Sequence, residues 1–135
     1  MLKFSYVDVN KIIKNSKIPL TYDKKRESYI VDTNKLNKIL KDLIKNSKKS
    51  LVIDSHLSHY LSNKLVDLCI VTKCNLKILR KRLKARKYKE DKIRENLDSE
   101  ILDICLIEAI ENKHNIMILD TSKRLNYKEI IKRIH

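Results

Sequence analysis

Residues 51–61 read LVIDSHLSHYL. Leu51, Val52 and Ile53 run into Asp54, with His56 two positions on and His59 three further. A short apolar run containing β-branched residues and closed by polar ones is a strand pattern. Two more such runs follow, DLCIVTK (67–73) and NIMILDT (115–121). Each is continuously apolar rather than alternating, which predicts strands buried on both faces of a parallel sheet covered by helices. The fold class is therefore α/β. In such sheets ligands sit beyond the carboxyl ends of the strands. The segments that matter are then Asp54-Ser55-His56, Thr72-Lys73-Cys74 and Asp120-Thr121-Ser122-Lys123.

The intervening segments alternate with these strands. KFSYVDV (3–9) has period two and reads as a short strand. Residues 10–17 suit one or two helical turns, stopped before Pro19. Residues 18–31 read as an irregular polar loop. Asp32 or Thr33 caps a helix whose Leu36, Ile39, Leu40, Leu43 and Ile44 share one face. Residues 56–65 suit no more than a helical turn or two. Asn75 caps a basic helix with Leu76, Leu79 and Leu83 inward, interrupted at 85–91. Ile93, Leu97, Ile101, Ile104 and Cys105 then mark one long helix ending near Asn112. Residues 125–134 form a closing amphipathic helix. No repeat or linker divides the chain, and one domain over 1–135 is expected.

With 135 residues and 42% hydrophobic content, the chain can build a core. No apolar run approaches the ~20 residues of a membrane span, and the first ten residues are too polar for a signal peptide. A cytoplasmic protein without membrane contact is the expectation. Cys69, Cys74 and Cys105 lack CxxC spacing and read as reduced thiols rather than a zinc site. The net charge of +14 favours an anionic partner, whether RNA, a phosphorylated ligand or an acidic protein surface. Richness in Lys, Asn and Ile together offers a compositional source for the same charge. Glycine is absent, where a chain of this length carries about nine on average. Motifs needing positive φ, or close backbone approach to a phosphate, are accordingly expected to be missing.

An Asp at the end of a buried strand can hold Mg²⁺ through water in a nucleotide site. In an extended chain the residue two further on faces the same side, so Asp54 and His56 can address one ligand. A capping Asp beside a satisfied surface His explains the pair equally well, and His59 reads as structural. Residues 80–94 carry nine basic side chains against only Glu90 and Asp91. This is either a solvated face or a mobile phosphate clamp, with Arg86 offering fork geometry and Tyr88 an aromatic edge. Asn96 and Glu100, one helical turn apart beside the Leu97–Ile101 stripe, serve helix packing or steady the segment before them.

Taken in order, VIDSHLSHYL, LKARKYKEDKIRENLDSEILDICLIEA and ILDTSK resemble the archaeal adenylate kinase family, relatives of the atypical nuclear adenylate kinase that serves as a ribosome-assembly factor. The most specific part is R-x-Y-x-x-x-K-x-x-E-N-x-x-x-E, present as Arg86, Tyr88, Lys92, Glu95, Asn96 and Glu100. The resemblance runs from YVDV to the end. It implies a P-loop NTPase fold of nucleoside-monophosphate kinase type, built on a three-layer parallel sheet. It also implies phosphoryl transfer from ATP to AMP with Mg²⁺, ATPase activity, and a part in small-subunit maturation through a platform ribosomal protein and possible rRNA contact. Residues 8–31 would be the monophosphate-binding region and 85–95 the lid. Asp54 would be the acid of the Mg²⁺ site and His56 a catalytic histidine. Arg86 would face phosphates from the lid, supported by Tyr88, Lys92, Asn96 and Glu100. Lys123 would lie near the adenine.

Two positions depart from the family pattern. Lys14 stands where an arginine reaching the monophosphate is expected, and Lys87 replaces the glycine after Arg86. A larger departure is at the front, where the family carries a strand, G-x-x-x-x-G-K-[ST] and a helix. That unit, about 25 residues, is expected to be absent from this chain. Its loop amides and Lys hold the ATP phosphates, so the 135 residues alone are expected to be inactive. A misplaced start, a first unit supplied in trans, and a scaffold that has lost catalysis are the three explanations, and a truncated sequence is favoured. The alternative function is an inactive basic module that binds a ribosomal protein or rRNA; a purely charge-driven RNA-binding protein ranks last.

Overall fold

The structure is a computed structural model that describes residues 3–16, 18, 20–25 and 28–134. Its residues fall into two compact units, 1–66 and 67–135.

In the first unit, β1 (Phe4–Asp8) leads into α1 (Val9–Asn15), and Asp8 turns the corner. Its Oδ1 accepts the Asn10 N–H at 3.0 Å, satisfying one of the donors a helix start leaves open. The expected stop before Pro19 lies outside the described residues; α1 ends at Asn15, where the Ser16 N–H caps Ile12 O. The described residues of 18–31 are not an irregular loop. Leu20–Asp23 (β2) and Ser28–Val31 (β3) pair antiparallel, with Leu20 opposite Val31. LTYD and SYIV are four residues each, too short for alternation to stand out among their charged neighbours.

Asp32 caps α2 (Thr33–Asn46), accepting from the Asn34 and Lys35 N–H groups. Leu36 and Leu40, one turn apart on its inner face, are fully buried. They form a core with Val9, Ile18 and Leu61, against which Ile12, Ile39, Ile44 and Ile53 pack. β4 (Ser50–Asp54) runs parallel to β1, with Tyr6 opposite Val52 and Asp8 opposite Asp54. Two single 3₁₀ turns follow, at Ser58–Tyr60 and Asn63–Leu65.

The second unit starts with β5 (Cys69–Lys73) and α3 (Leu76–Ala85), whose cap is Asn75. α4 (Glu90–Ile101) and α5 (Ile104–Glu111) replace the single long helix read from the apolar spacing. The break falls at Leu102–Asp103, where Asp103 takes φ 51°. Neither glycine nor proline marks it. β6 (Ile116–Asp120) pairs parallel with β5, Lys73 lying opposite Asp120, and α6 (Tyr127–Ile134) closes the chain.

Two further sequence expectations need correction. The apolar strands are not buried on both faces: Val52 is 44% exposed, Ile70 40% and Ile118 46%. Apolar composition records that a face suits burial, not that a covering surface is present. Positive φ also occurs without glycine, at Lys87, Asp103 and Lys113. After α3 the Lys87 N–H bonds Lys84 O and the Tyr88 N–H bonds Leu83 O; after α5 the Lys113 and His114 N–H groups bond Ile110 O and Ala109 O. Both are left-handed helix caps of the kind glycine usually fills, and here lysine accepts the Cβ penalty.

Candidate functional site

The carboxyl ends of the parallel strands carry Asp54 in the first unit and the Asp120–Lys123 turn in the second. Lys14 lies on α1, and the candidates from Arg86 to Glu100 lie at the end of α3, in the turn after it and on α4. In the first unit, Asp8 and Asp54 are register partners at the ends of β1 and β4. Parity along the strands puts Tyr6 and Asp8 on the same face as Val52 and Asp54. The Tyr6 hydroxyl donates to Asp54 Oδ2 at 2.5 Å. That bond, with the negative charges of Asp54 and Asp8 nearby, raises the Tyr6 phenol above its ordinary value. Asp54 and His56 are both exposed, as a ligand-facing pair requires. His59 is buried, its ring centroid 4.3 Å from that of Tyr60, in keeping with a structural role. Lys14 is exposed in the last turn of α1.

Carboxylate oxygens suit a hard cation such as Mg²⁺, which is commonly held by one or two carboxylates, water and substrate phosphates rather than by a full protein cage. Among the described residues no group of three or more His, Cys, Asp or Glu forms such a cage. Asp54, with Asp8 beside it, fits the lighter arrangement.

In the second unit, Arg86 is the C-cap residue of α3 and Lys87 makes the turn that follows. Tyr88 then receives the Lys92 ammonium 5.1 Å from its ring centroid. Asn96 donates back to Lys92 O at 2.8 Å within α4. Arg80 bonds Glu90 across the turn, so the basic segment is partly neutralised at its own base. Glu100 lies at the far end of α4. Its Oε1 accepts the Cys74 N–H at 3.0 Å and sits 3.0 Å from Lys73 Nζ. Lys73 also donates to Asp103 Oδ1 and Glu100 O. The bond to Asp103 is the first cause, with Glu100 second, of a Lys73 pKa raised despite desolvation. Glu100 therefore fastens α4 to the end of β5.

The Asp120–Lys123 turn is held from three sides. The Ser122 N–H bonds Asp120 Oδ1 at 2.9 Å, which with the Ser122 hydroxyl and nearby Lys123 lowers the Asp120 pKa. Thr121 donates through its N–H and its hydroxyl to Lys73 O. The Asn75 N–H donates to Ser122 Oγ at 2.6 Å. Lys123 is exposed beyond this turn, next to a depression of about 490 Å³ lined by Arg124, Leu125, Asn126, Tyr127 and Lys128.

Sequence reasoning passed over Tyr6, Asp8 and Arg82. The period of KFSYVDV already placed Tyr6 and Asp8 on one face, but only strand pairing shows that this face is shared with Asp54. Arg82 lay in a basic run where nothing local set it apart.

Parallel strands with helical crossovers and acids at the strand ends make this an α/β protein, and the family match makes its domain one of P-loop NTPase type. The family described as AAA domain matches residues 1–103. The chain is 36% identical over 91% of its length to a Methanocaldococcus jannaschii protein named "Putative adenylate kinase", of which the match covers 66%. A Methanococcus maripaludis protein of the same name is 32% identical over 87% of this chain and 63% of its own. The Saccharomyces cerevisiae "Adenylate kinase isoenzyme 6 homolog FAP7" is 33% identical over 81% of this chain and 54% of its own. The chain belongs to this AAA-domain family, in its adenylate-kinase-like branch. It spans just under two thirds of the length of the first two relatives. No helix among the described residues is long and apolar enough to cross a membrane.

Proposed function

We propose that this chain carries the acceptor side, the magnesium side and the lid of an adenylate kinase, transferring the γ-phosphoryl group of ATP to the α-phosphate of AMP. In this reading Asp54 would hold Mg²⁺ through water, and the ion would supply neutralisation of charge on the phosphate oxygens. His56 faces the same ligand, Lys14 reaches the monophosphate, Arg86 closes over the triphosphate and Lys123 borders the adenine. Tyr88, Lys92, Asn96 and Glu100 hold the lid and the helix behind it. ATP hydrolysis is the same chemistry with water as acceptor, and a role in small-subunit maturation, through a platform ribosomal protein, extends the reading. What carries it is the similarity to proteins named adenylate kinase over nine tenths of the chain, with the strand-end acids supporting it.

These 135 residues contain no glycine and hence no G-x-x-x-x-G-K-[ST] loop. The test is phosphoryl transfer from ATP to AMP with Mg²⁺. It compares this chain with a form in which a strand, phosphate loop and helix precede residue 1. Activity in the second form alone supports the reading; an inert second form that is folded refutes it.

The exposed basic turn around Arg86 and Lys87 favours a second reading, a non-catalytic module that docks on a ribosomal protein or rRNA. Capture of a platform ribosomal protein by this chain, indifferent to ATP, would favour it over the first.

A further inference from the structure

Arg82 is the most heavily engaged basic residue of α3. Its Nη2 donates to Thr121 O at 2.7 Å and its Nη1 to Thr121 Oγ1 at 3.2 Å. Nη1 also lies 3.4 Å from Cys74 Sγ. The planar fork thus grips both oxygens of Thr121 while touching Cys74, the residue that follows β5. Thr121 is itself tied to Lys73 O, and its neighbour Ser122 to the Asn75 N–H. The loops beyond β5 and β6 and the body of α3 therefore meet at one guanidinium. Lysine, a point charge, cannot supply two divergent donors of this geometry.

We infer that Arg82 is a positioning residue: it holds the Asp120–Lys123 turn to the end of β5 and so sets where Lys123 meets an adenine nucleotide. The nucleotide half of this inference rests on the proposed function; the holding of the turn does not. Arg82 acts through Thr121, so removing either partner should give the same defect.

The test uses the full chain with two measurements. Amide hydrogen exchange at Thr121 and Ser122 reads the turn, with amides inside β5 as the control for folding. Titration with ATP and Mg²⁺ reads the site. In Arg82→Lys both turn amides should exchange about tenfold faster, and ATP should bind about tenfold more weakly, the size expected for losing a charge-assisted hydrogen bond. Thr121→Val should weaken ATP similarly, and the double variant should fall well short of the product of the two effects. Unchanged exchange in Arg82→Lys overturns the inference, even where ATP affinity falls, because Arg82 would then act on the ligand directly. Multiplying effects in the double variant overturn it too. If the parent chain binds no ATP, with or without a preceding phosphate-loop unit, the proposed function fails. Exchange then decides the holding role alone.

Discussion

Tyr6 on β1 and Asp54 on β4 are joined across two neighbouring parallel strands by a 2.5 Å hydrogen bond, close to the acid pair Asp8 and Asp54. A phenol thus steadies the carboxylate that the proposed function sets beside Mg²⁺. The Tyr6 pKa is raised, so the bond stabilises the fold fully below the ordinary phenol value of 10.0 and is lost as pH rises through the folded value. In Asp54→Asn the Tyr6 ring should titrate closer to 10.0, followed by ring-carbon NMR. An identical titration in parent and variant would show that the bond does not form in solution.

Lys73 should be the most costly cation to remove from the second unit. It answers Glu100 and Asp103 together, and Lys73→Met takes the cation from both carboxylates, leaving Glu100 the Cys74 N–H. A loss of about 1–3 kcal/mol is expected in urea unfolding. Its pKa is raised, so this contribution is complete below the ordinary value of 10.5 and fades as pH rises through the folded value. Parent and Lys73→Met should therefore converge in stability at strongly alkaline pH. A gap independent of pH would assign the loss to packing instead.

Lys113→Gly should stabilise the protein by roughly 0.5–1 kcal/mol, because φ 58° costs a Cβ-bearing residue and not glycine. Lys113→Ala, which keeps the Cβ, should bring no such gain. Lys87→Gly has the same backbone logic at φ 60°, with freer motion of the adjoining turn as its second effect. Equal midpoints for the Gly and Ala variants at 113 would refute the strain.

Arg86→Ala should leave the unfolding midpoint near that of the parent, since Arg86 is exposed at a helix end. In the form preceded by a phosphate loop it should cut kcat/KM for ATP by about tenfold to a hundredfold. His56→Ala should lower turnover more than stability. Matched losses of both would make His56 a structural residue.

Local chemistry was enough for much of the fold. Asp32 and Asn75 announced their helices because a side-chain oxygen can satisfy helix N–H groups within two or three residues. The three apolar strands, the basic turn at 85–91 and the strand-end positions of Asp54 and Asp120 were legible for the same reason. The β2–β3 hairpin was not, because short strands gain their identity from each other. Nor was the break between α4 and α5. There Asp103 adopts a left-handed backbone that carries no glycine signature, while its carboxylate meets Lys73 thirty residues away.

The sequence by itself determined most of the helices, the apolar strands and the polar residues that end them, because capping and side-chain periodicity act over a few bonds. Only tertiary structure decided that Asp54 has Asp8 and Tyr6 as neighbours, that Arg82 reaches Thr121, and that Val52, Ile70 and Ile118 stay exposed. Those outcomes depend on register, on fork geometry across loops, and on which surface covers a strand, and none of these is a property of a residue's own neighbours in the chain.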